Sequence, residues 1–246
     1  MHSDNYFDEK VASTYDDDVD SCQPEVINPV VDFLSELANG GNALEFGIGT
    51  GRIALPLAMK GIEVHGIELS HAMIAKLTAK IGSDRIRVTQ GDFATTSCGG
   101  SFSLVYLIFN TIMNLTTQEE QVRCFQNAAS HLSPGGSFVI EVMVPALQLL
   151  PHGEINHVFD FRDEHWGIDT YDVASQSLRS HHLRIRNQKM ELSSIPFRYV
   201  WSSELDLMAR IANLRFKARW GSWKKEPFTN TSRYHVSVWE KPRNEN

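Results

Sequence analysis

Cysteine is scarce in this chain. Of its 246 residues three are cysteine, Cys22, Cys98 and Cys124, odd in number and without the paired spacing of a disulfide framework or a zinc site. That excludes a disulfide-stapled secreted scaffold and leads to the expectation of a reducing compartment, the cytoplasm. Long apolar runs are missing too: none approaches the roughly 18 residues that a membrane span needs. Met1-His2-Ser3-Asp4-Asn5 has neither the basic start nor the apolar core of a leader. Basic residues are in deficit, 23 Lys and Arg against 30 Asp and Glu, which leaves a formal charge of −7. Such a field repels a polyanion and argues against nucleic acid as a partner. Histidine is never arranged as a metal motif. No His-Glu-x-x-His occurs, and His181-His182 on an expected strand point to opposite faces, so no metal is expected.

What is present is ordinary for a globular protein, with 42% hydrophobic and 22% charged residues. The length suits one α/β domain carrying an insertion better than two small domains.

The chain is organised around Leu44-Glu45-Phe46-Gly47-Ile48-Gly49-Thr50-Gly51-Arg52-Ile53. This is an apolar run ending in an acid and three alternating glycines, followed by helix-forming sequence: a strand, a tight turn and a helix. Glycine permits positive φ there and lets a ligand lie against the backbone, while the helix start aims free N–H groups at it. The next apolar run, Ile62 to Ile67, stops on Glu68, a carboxylate placed to accept from both hydroxyls of a ribose. A dinucleotide turn would need its third glycine at position 52, where this chain has Arg52.

Glu45-x-Gly47-x-Gly49-x-Gly51 instead resembles the first motif of the class I S-adenosylmethionine-dependent methyltransferases of small-molecule type. The resemblance continues through Glu68 and through Gly91-Asp92-Phe93 after the third strand. It implies a Rossmann-like seven-stranded mixed sheet with helices on both faces, S-adenosylmethionine as cofactor, Glu68 at its ribose and Asp92 at its adenine amino group, with Phe93 beside it. Glu45 stands where the family more often has aspartate, and Ile48 where it has a small residue or cysteine.

In chain order, residues 1–22 are acidic and polar, with Asp16-Asp17-Asp18 as a charge run, and are expected to form a solvated arm. Tyr15 is the exception, since a Tyr-Asp pair here resembles the family segment that folds over the cofactor. Ile27, Val30, Val31, Leu34, Leu37 and Ala38 predict a helix with one buried face, opened by Pro24 and closed by Gly40-Gly41. Helix is expected again from Arg52 to Lys60, irregular at Pro56. Arg52 is either a surface charge or a contact for the methionine carboxylate. Ser70 is the expected cap of the next helix, in which Met73 is core by type and an adenine contact by resemblance.

Ile86–Thr89 and the apolar Phe102–Phe109 predict strands, the second buried on both faces. By resemblance the backbone around Ile108 meets the cofactor and Asn110 faces the substrate, although asparagine at a strand end also serves simply as a turn former. Thr117-x-x-Glu120 reads as a capping box, Pro134-Gly135-Gly136 as the helix end and Ser137–Met143 as the fifth strand. From 151 to 201, alternation at Phe159/Phe161, Leu183/Ile185 and Ile195/Phe197/Tyr199/Trp201 predicts antiparallel strands, a β insertion covering the active site. A helix capped by Ser202 or Ser203 follows, then two closing strands, Leu214–Trp220 and Tyr234–Trp239.

Methyl transfer from a sulfonium expels a neutral thioether, so a protein running it aligns the nucleophile and excludes water without protonating a leaving group. Glu141, a carboxylate inside an apolar strand, needs a partner. Either an arginine pairs with it, or it faces the pocket and holds an amine or cationic acceptor together with Arg198 and Trp201. The expected function is methylation of a small molecule, with small amines the best analogy. Methylation of protein or RNA, and adenosyl-ligand binding without catalysis, are the alternatives. The spacing itself does not choose nitrogen over oxygen.

Overall fold

The computed structural model describes residues 7–17, 23–186 and 188–243. Cys22 and Asp18 lie outside the described residues. Seven strands form the main sheet in the order β10-β11-β5-β4-β1-β2-β3: β1 (Ala43–Phe46), β2 (Val64–Glu68), β3 (Ile86–Gln90), β4 (Phe102–Leu107), β5 (Leu132–Met143), β10 (Arg215–Trp220) and β11 (Tyr234–Glu240). The strands from β1 to β5 run parallel, and β11 is antiparallel to both its neighbours. Continuous burial along β1 and nearly all of β4 follows from helices on both faces.

One face packs α2 (Pro24–Ala38) and α3 (Ala54–Met59), through Val30, Leu34, Ile53 and Leu57. The other packs α5 (Gln118–His131) and α6 (Ser202–Ile211), where Phe125, Phe138 and Trp239 meet edge to face with centroids 5.0 and 5.3 Å apart. The capping box at Thr117 and Glu120 is formed in both directions, and Ser70 caps α4 (His71–Thr78) by accepting from Met73 N at 3.2 Å.

Several boundaries differ from the periodicity, each for a local reason. Asn39 takes the left-handed turn that ends α2, ahead of Gly40. Helix α3 begins at Ala54 and not Arg52, which leaves Pro56 in its first turn, where no intrahelical N–H is required. Strand β4 stops at Leu107 because Phe109 and Asn110 both adopt positive φ (53° and 63°). Strand β5 starts at Leu132, since Pro134-Gly135-Gly136 is accommodated by a register shift against β4 and by Gly135 donating to the Lys241 carbonyl. Helix α6 has Trp201 at its N-cap with no side-chain cap bond, so neither Ser202 nor Ser203 caps it.

A second sheet, of four antiparallel strands, is inserted between β5 and α6: β6 (Asn156–Arg162), β7 (His165–Asp172), β8 (Ser177–Arg186) and β9 (Lys189–Arg198), paired in sequence order. Tyr171, Leu178, Tyr199 and Val200 tie it into the main core. At the other end of the chain, acidic composition suggested a solvated arm. Residues 9–14 form α1 instead, capped by Asp8 accepting from Val11 N at 2.9 Å. Asp16 holds the following turn down through Thr50 Oγ1 at 2.6 Å and Lys80 Nζ at 2.8 Å.

Candidate active site

The register β1–β2–β3 brings three chain ends together. Glu45 is level with Gly66 and Phe46 with Ile67, while Glu68 is level with Gln90. Gly47, Glu68 and Asp92 therefore emerge side by side at the carboxyl edge of the parallel strands, where open α/β sheets bind ligands. Gly49 takes φ +55°, and a Cβ built on it meets nothing nearer than the Gly47 carbonyl at 3.9 Å. At Gly49 the backbone is bare and open. Gly66 lacks a side chain for a different reason: a Cβ there would lie 2.7 Å from Ile48 Cβ, so the turn rests on β2 only because that position is empty.

Glu68 braces the turn. Its Oε2 accepts from Gly49 N and its Oε1 from Ser70 N, both at 2.8 Å. Asp92 accepts from Ala94 N at 2.8 Å. Both carboxylates line a cleft of about 2810 Å³, together with Tyr15, Gly47, Gly49, Arg52, Met73, Phe93 and Asn110. A single small-ligand pocket occupies roughly 300–1,000 Å³, so the cleft has room for a donor and an acceptor side by side. Arg52 stands over the ring of Phe109 at 4.2 Å and near that of Tyr15 at 5.6 Å, bridging the N-terminal segment and the β4 turn. Lys10 of α1 pairs with Glu191 of β9 at 3.3 Å, so the N-terminal helix and the inserted sheet meet over the cleft.

Adjoining the cleft, and sharing Gly47, Arg52 and Thr111 with it, is a smaller space of about 40 Å³ walled also by Glu45 and Ile108. Glu45 is 5% exposed and accepts from Tyr106 Oη at 2.9 Å. Burial pushes its carboxyl up to about 8, against the Tyr106 hydrogen bond and the Arg52 charge.

Other expected site residues have structural partners of their own. Gly51 lines neither space: a Cβ there would meet Leu77 Cδ1 at 2.3 Å, so its φ of +78° serves the packing of the turn on α4. The Ile108 carbonyl already accepts from Thr111 N at 3.2 Å and Thr111 Oγ1 at 2.6 Å. Asn110 does line the cleft, but its Oδ1 accepts from Met143 N at 2.7 Å.

Glu141 is not on the cleft wall. It accepts from Phe109 N at 2.7 Å and from the Trp223 side chain, with Arg52 supplying the nearby positive charge, and burial still raises its carboxyl. Its partner is thus the left-handed β4 turn, whose exposed N–H it satisfies. Trp201 packs edge-on to Tyr199, 6.2 Å between centroids, outside the cleft.

Arg198, 6% exposed, donates to Gln121 Oε1 at 2.5 Å, Gln176 Oε1 at 3.1 Å and Glu204 Oε1 at 2.7 Å. It fastens the inserted sheet to α5 and α6 and does not reach for a ligand. Removing one member of a buried pair leaves the other charge uncompensated, so Arg198→Ala should cost about 3–5 kcal/mol of stability and lower Tm by roughly 10 °C. The calorimetric affinity for cofactor should stay within threefold of wild type.

The inner face of the inserted sheet carries site residues that no sequence motif marks. Asp160, His165, Asp169, Ser180 and His182 all line the cleft. Their signal was the polar half of the alternation, which had been assigned to solvent. Among the described residues no group of three or more His, Cys, Asp or Glu side chains is arranged to hold a metal, and no helix is long and apolar enough to cross a membrane.

Comparison with known proteins is consistent with this geometry. A methyltransferase domain model matches residues 43–136. The curated cypemycin N-terminal methyltransferase of a Streptomyces species is 28% identical over 208 residues, 82% of this chain and 84% of that protein. The CcbJ methyltransferase of Streptomyces caelestis superposes with a TM-score of 0.87 at 33% identity, over 98% of this chain and all of that one. The S-adenosylmethionine-bound CalS10 of Micromonospora echinaspora, an amino pentose methyltransferase, shares the fold at 21% identity with a TM-score of 0.70, over 98% of this chain and all of that one. A bare glycine turn, two carboxylates at consecutive strand ends and a likeness to CcbJ along the whole chain lead to one conclusion: the protein belongs to the class I S-adenosylmethionine-dependent methyltransferases.

Proposed function

We propose that this methyltransferase transfers a methyl group to a nitrogen of a small molecule. The observation that carries the small-molecule part is the closure of the cleft. The inserted sheet roofs it, and the Lys10–Glu191 pair joins that roof to α1, so an acceptor reaches the donor beneath a cover and not on an open face suited to a folded polymer. The nitrogen part is supported by the relative whose name specifies an amino terminus, similar over 82% of this chain.

When bound, S-adenosylmethionine supplies a methyl group on a sulfonium for in-line displacement by an acceptor lone pair. The residues of this chain hold it in place. Glu68 takes the ribose hydroxyls on carboxylate oxygens that also brace Gly49, since each oxygen has more than one acceptor direction. Asp92 takes the adenine amino group, Met73 and Phe93 flank the ring, and Tyr15 with Arg52 closes over the methionine end. The backbone at Gly49 leaves space for the chain of the cofactor. The roof lies over the acceptor side of the cleft, where alignment of the nucleophile is the main task.

Parallel calorimetric titrations with S-adenosylmethionine, S-adenosylhomocysteine and NAD test the cofactor assignment, and both adenosyl ligands should bind while NAD does not. Transfer of labelled methyl to amines but not to their N-acetylated counterparts tests the acceptor. Exclusive labelling of hydroxyl compounds or of protein would refute the nitrogen assignment.

A further inference from the structure

The roof carries a polar chain that neither the cofactor nor the fold requires. Asp160 Oδ2 and His165 Nδ1 lie 2.6 Å apart, His165 Nε2 and His182 Nδ1 3.0 Å, and His182 Nε2 and Ser180 Oγ 3.3 Å. The two imidazoles stack at 5.3 Å and 13°. Ser180 is the direct neighbour of Asp169 across the β7–β8 register, and its hydroxyl favours the charged form of that carboxyl. The chain ends there on an unsatisfied group. Asp169 is 6% exposed, and its buried Oδ1 has no hydrogen-bond partner among the described residues.

Charge fixes the far end of the chain. Arg162 and His165 hold the Asp160 carboxyl down at about 2, so it accepts. Burial and the Arg184 charge hold His182 at about 4, so it is neutral and has one N–H. His165 gives its Nδ1–H to the Asp160 carboxylate, and neutral His182 sets one ring nitrogen on His165 and the other on Ser180. His157, level with it on β6, and His181, on the neighbouring β8 position, add favourable charge when protonated. A buried carboxylate oxygen left without a donor is costly, and Asp169 lines the cleft, so a donor on a molecule bound there satisfies the oxygen that the protein leaves bare.

We infer that Asp169 Oδ1 is the acceptor-binding group of the roof, receiving an N–H of the amine that is to be methylated, with Ser180 and His182 fixing the carboxylate's orientation. The inference rests on the reading of the acceptor as an amine. It makes Asp169 a determinant of which acceptors enter, with no part in holding the cofactor.

The test uses labelled S-adenosylmethionine with glucosamine, L-proline and alanyl-alanine as amine probes, on the wild type, Asp169→Asn and Ser180→Ala. For whichever probe is methylated, Asp169→Asn should raise KM tenfold or more and change kcat less than threefold. The calorimetric Kd for S-adenosylmethionine should stay within twofold. Ser180→Ala, which loosens the carboxylate without removing it, should raise KM about threefold, and carries the test alone if Asp169→Asn fails to fold. An unchanged KM in both variants, a parallel rise in cofactor Kd, or cofactor binding without transfer to any of the three amines overturns the inference. Failure of the wild type to bind S-adenosylmethionine at all overturns the functional reading instead, and the two failures are therefore distinct.

Discussion

Glu68→Gln should weaken S-adenosylmethionine binding by one to two orders of magnitude in calorimetry while the protein stays folded. The carboxylate, 7% exposed, accepts from two backbone N–H groups that come from different segments, Gly49 in the turn and Ser70 at the start of α4. A glutamine can accept through only one of its two terminal atoms and turns an NH₂ toward the other backbone donor. A hydrogen bond to a charged group contributes about 1.5–3 kcal/mol, which alone is roughly a ten- to hundredfold change in Kd. The loss of a ribose acceptor adds to it. Binding equal to wild type would show that the carboxylate only shapes the turn.

The second large effect concerns pH. Glu45 has an ordinary carboxyl pKa of 4.5 when the chain is unfolded and is pushed up to about 8 in the fold, so the folded state keeps a proton that the unfolded state has lost. Its contribution to stability is fully present below pH 4.5 and is lost as pH rises toward about 8. At about 1.4 kcal/mol per pKa unit, the excursion amounts to on the order of 4 kcal/mol. Glu45→Gln cannot titrate and keeps an acceptor for Tyr106 Oη. The difference in Tm between variant and wild type should therefore move by about 10 °C in favour of the variant between pH 4.5 and pH 8, by thermal unfolding without cofactor. Parallel curves would mean that Arg52 keeps Glu45 ionised throughout.

Much of the cofactor side was legible in one dimension because its determinants are local. A glycine that needs positive φ, a carboxylate that ends a strand, a threonine three residues before a glutamate: each acts within a few residues of itself, and parallel pairing then aligns consecutive strand ends automatically. The acceptor side was not legible. Glu141 looked like a pocket residue because a carboxylate in an apolar strand demands a partner, and only the backbone of Phe109, a turn two strand residues past β4, shows where that demand is met. Arg198 looked like a ligand contact for the same reason, and its partners Gln121 and Glu204 lie on two different helices.

The inserted sheet separates the two kinds of information most clearly. Period-two alternation predicts antiparallel strands within residues 151–201, which the structure forms from Asn156 to Arg198, and it divides their side chains into two sets. Which set faces water is a property of what the sheet is laid upon. Docked through Tyr171, Leu178 and Tyr199, it turned the polar set of Asp160, His165, Asp169, Ser180 and His182 into the cleft and left Phe161 and Trp166 outside, at 74% and 41% exposure. The amino-acid sequence by itself determined the family, the sheet and the cofactor, because short-range geometry encodes them. The tertiary structure alone decided which charged side chains are struts and which face a ligand, because burial and long-range pairing exist only once the chain has closed on itself.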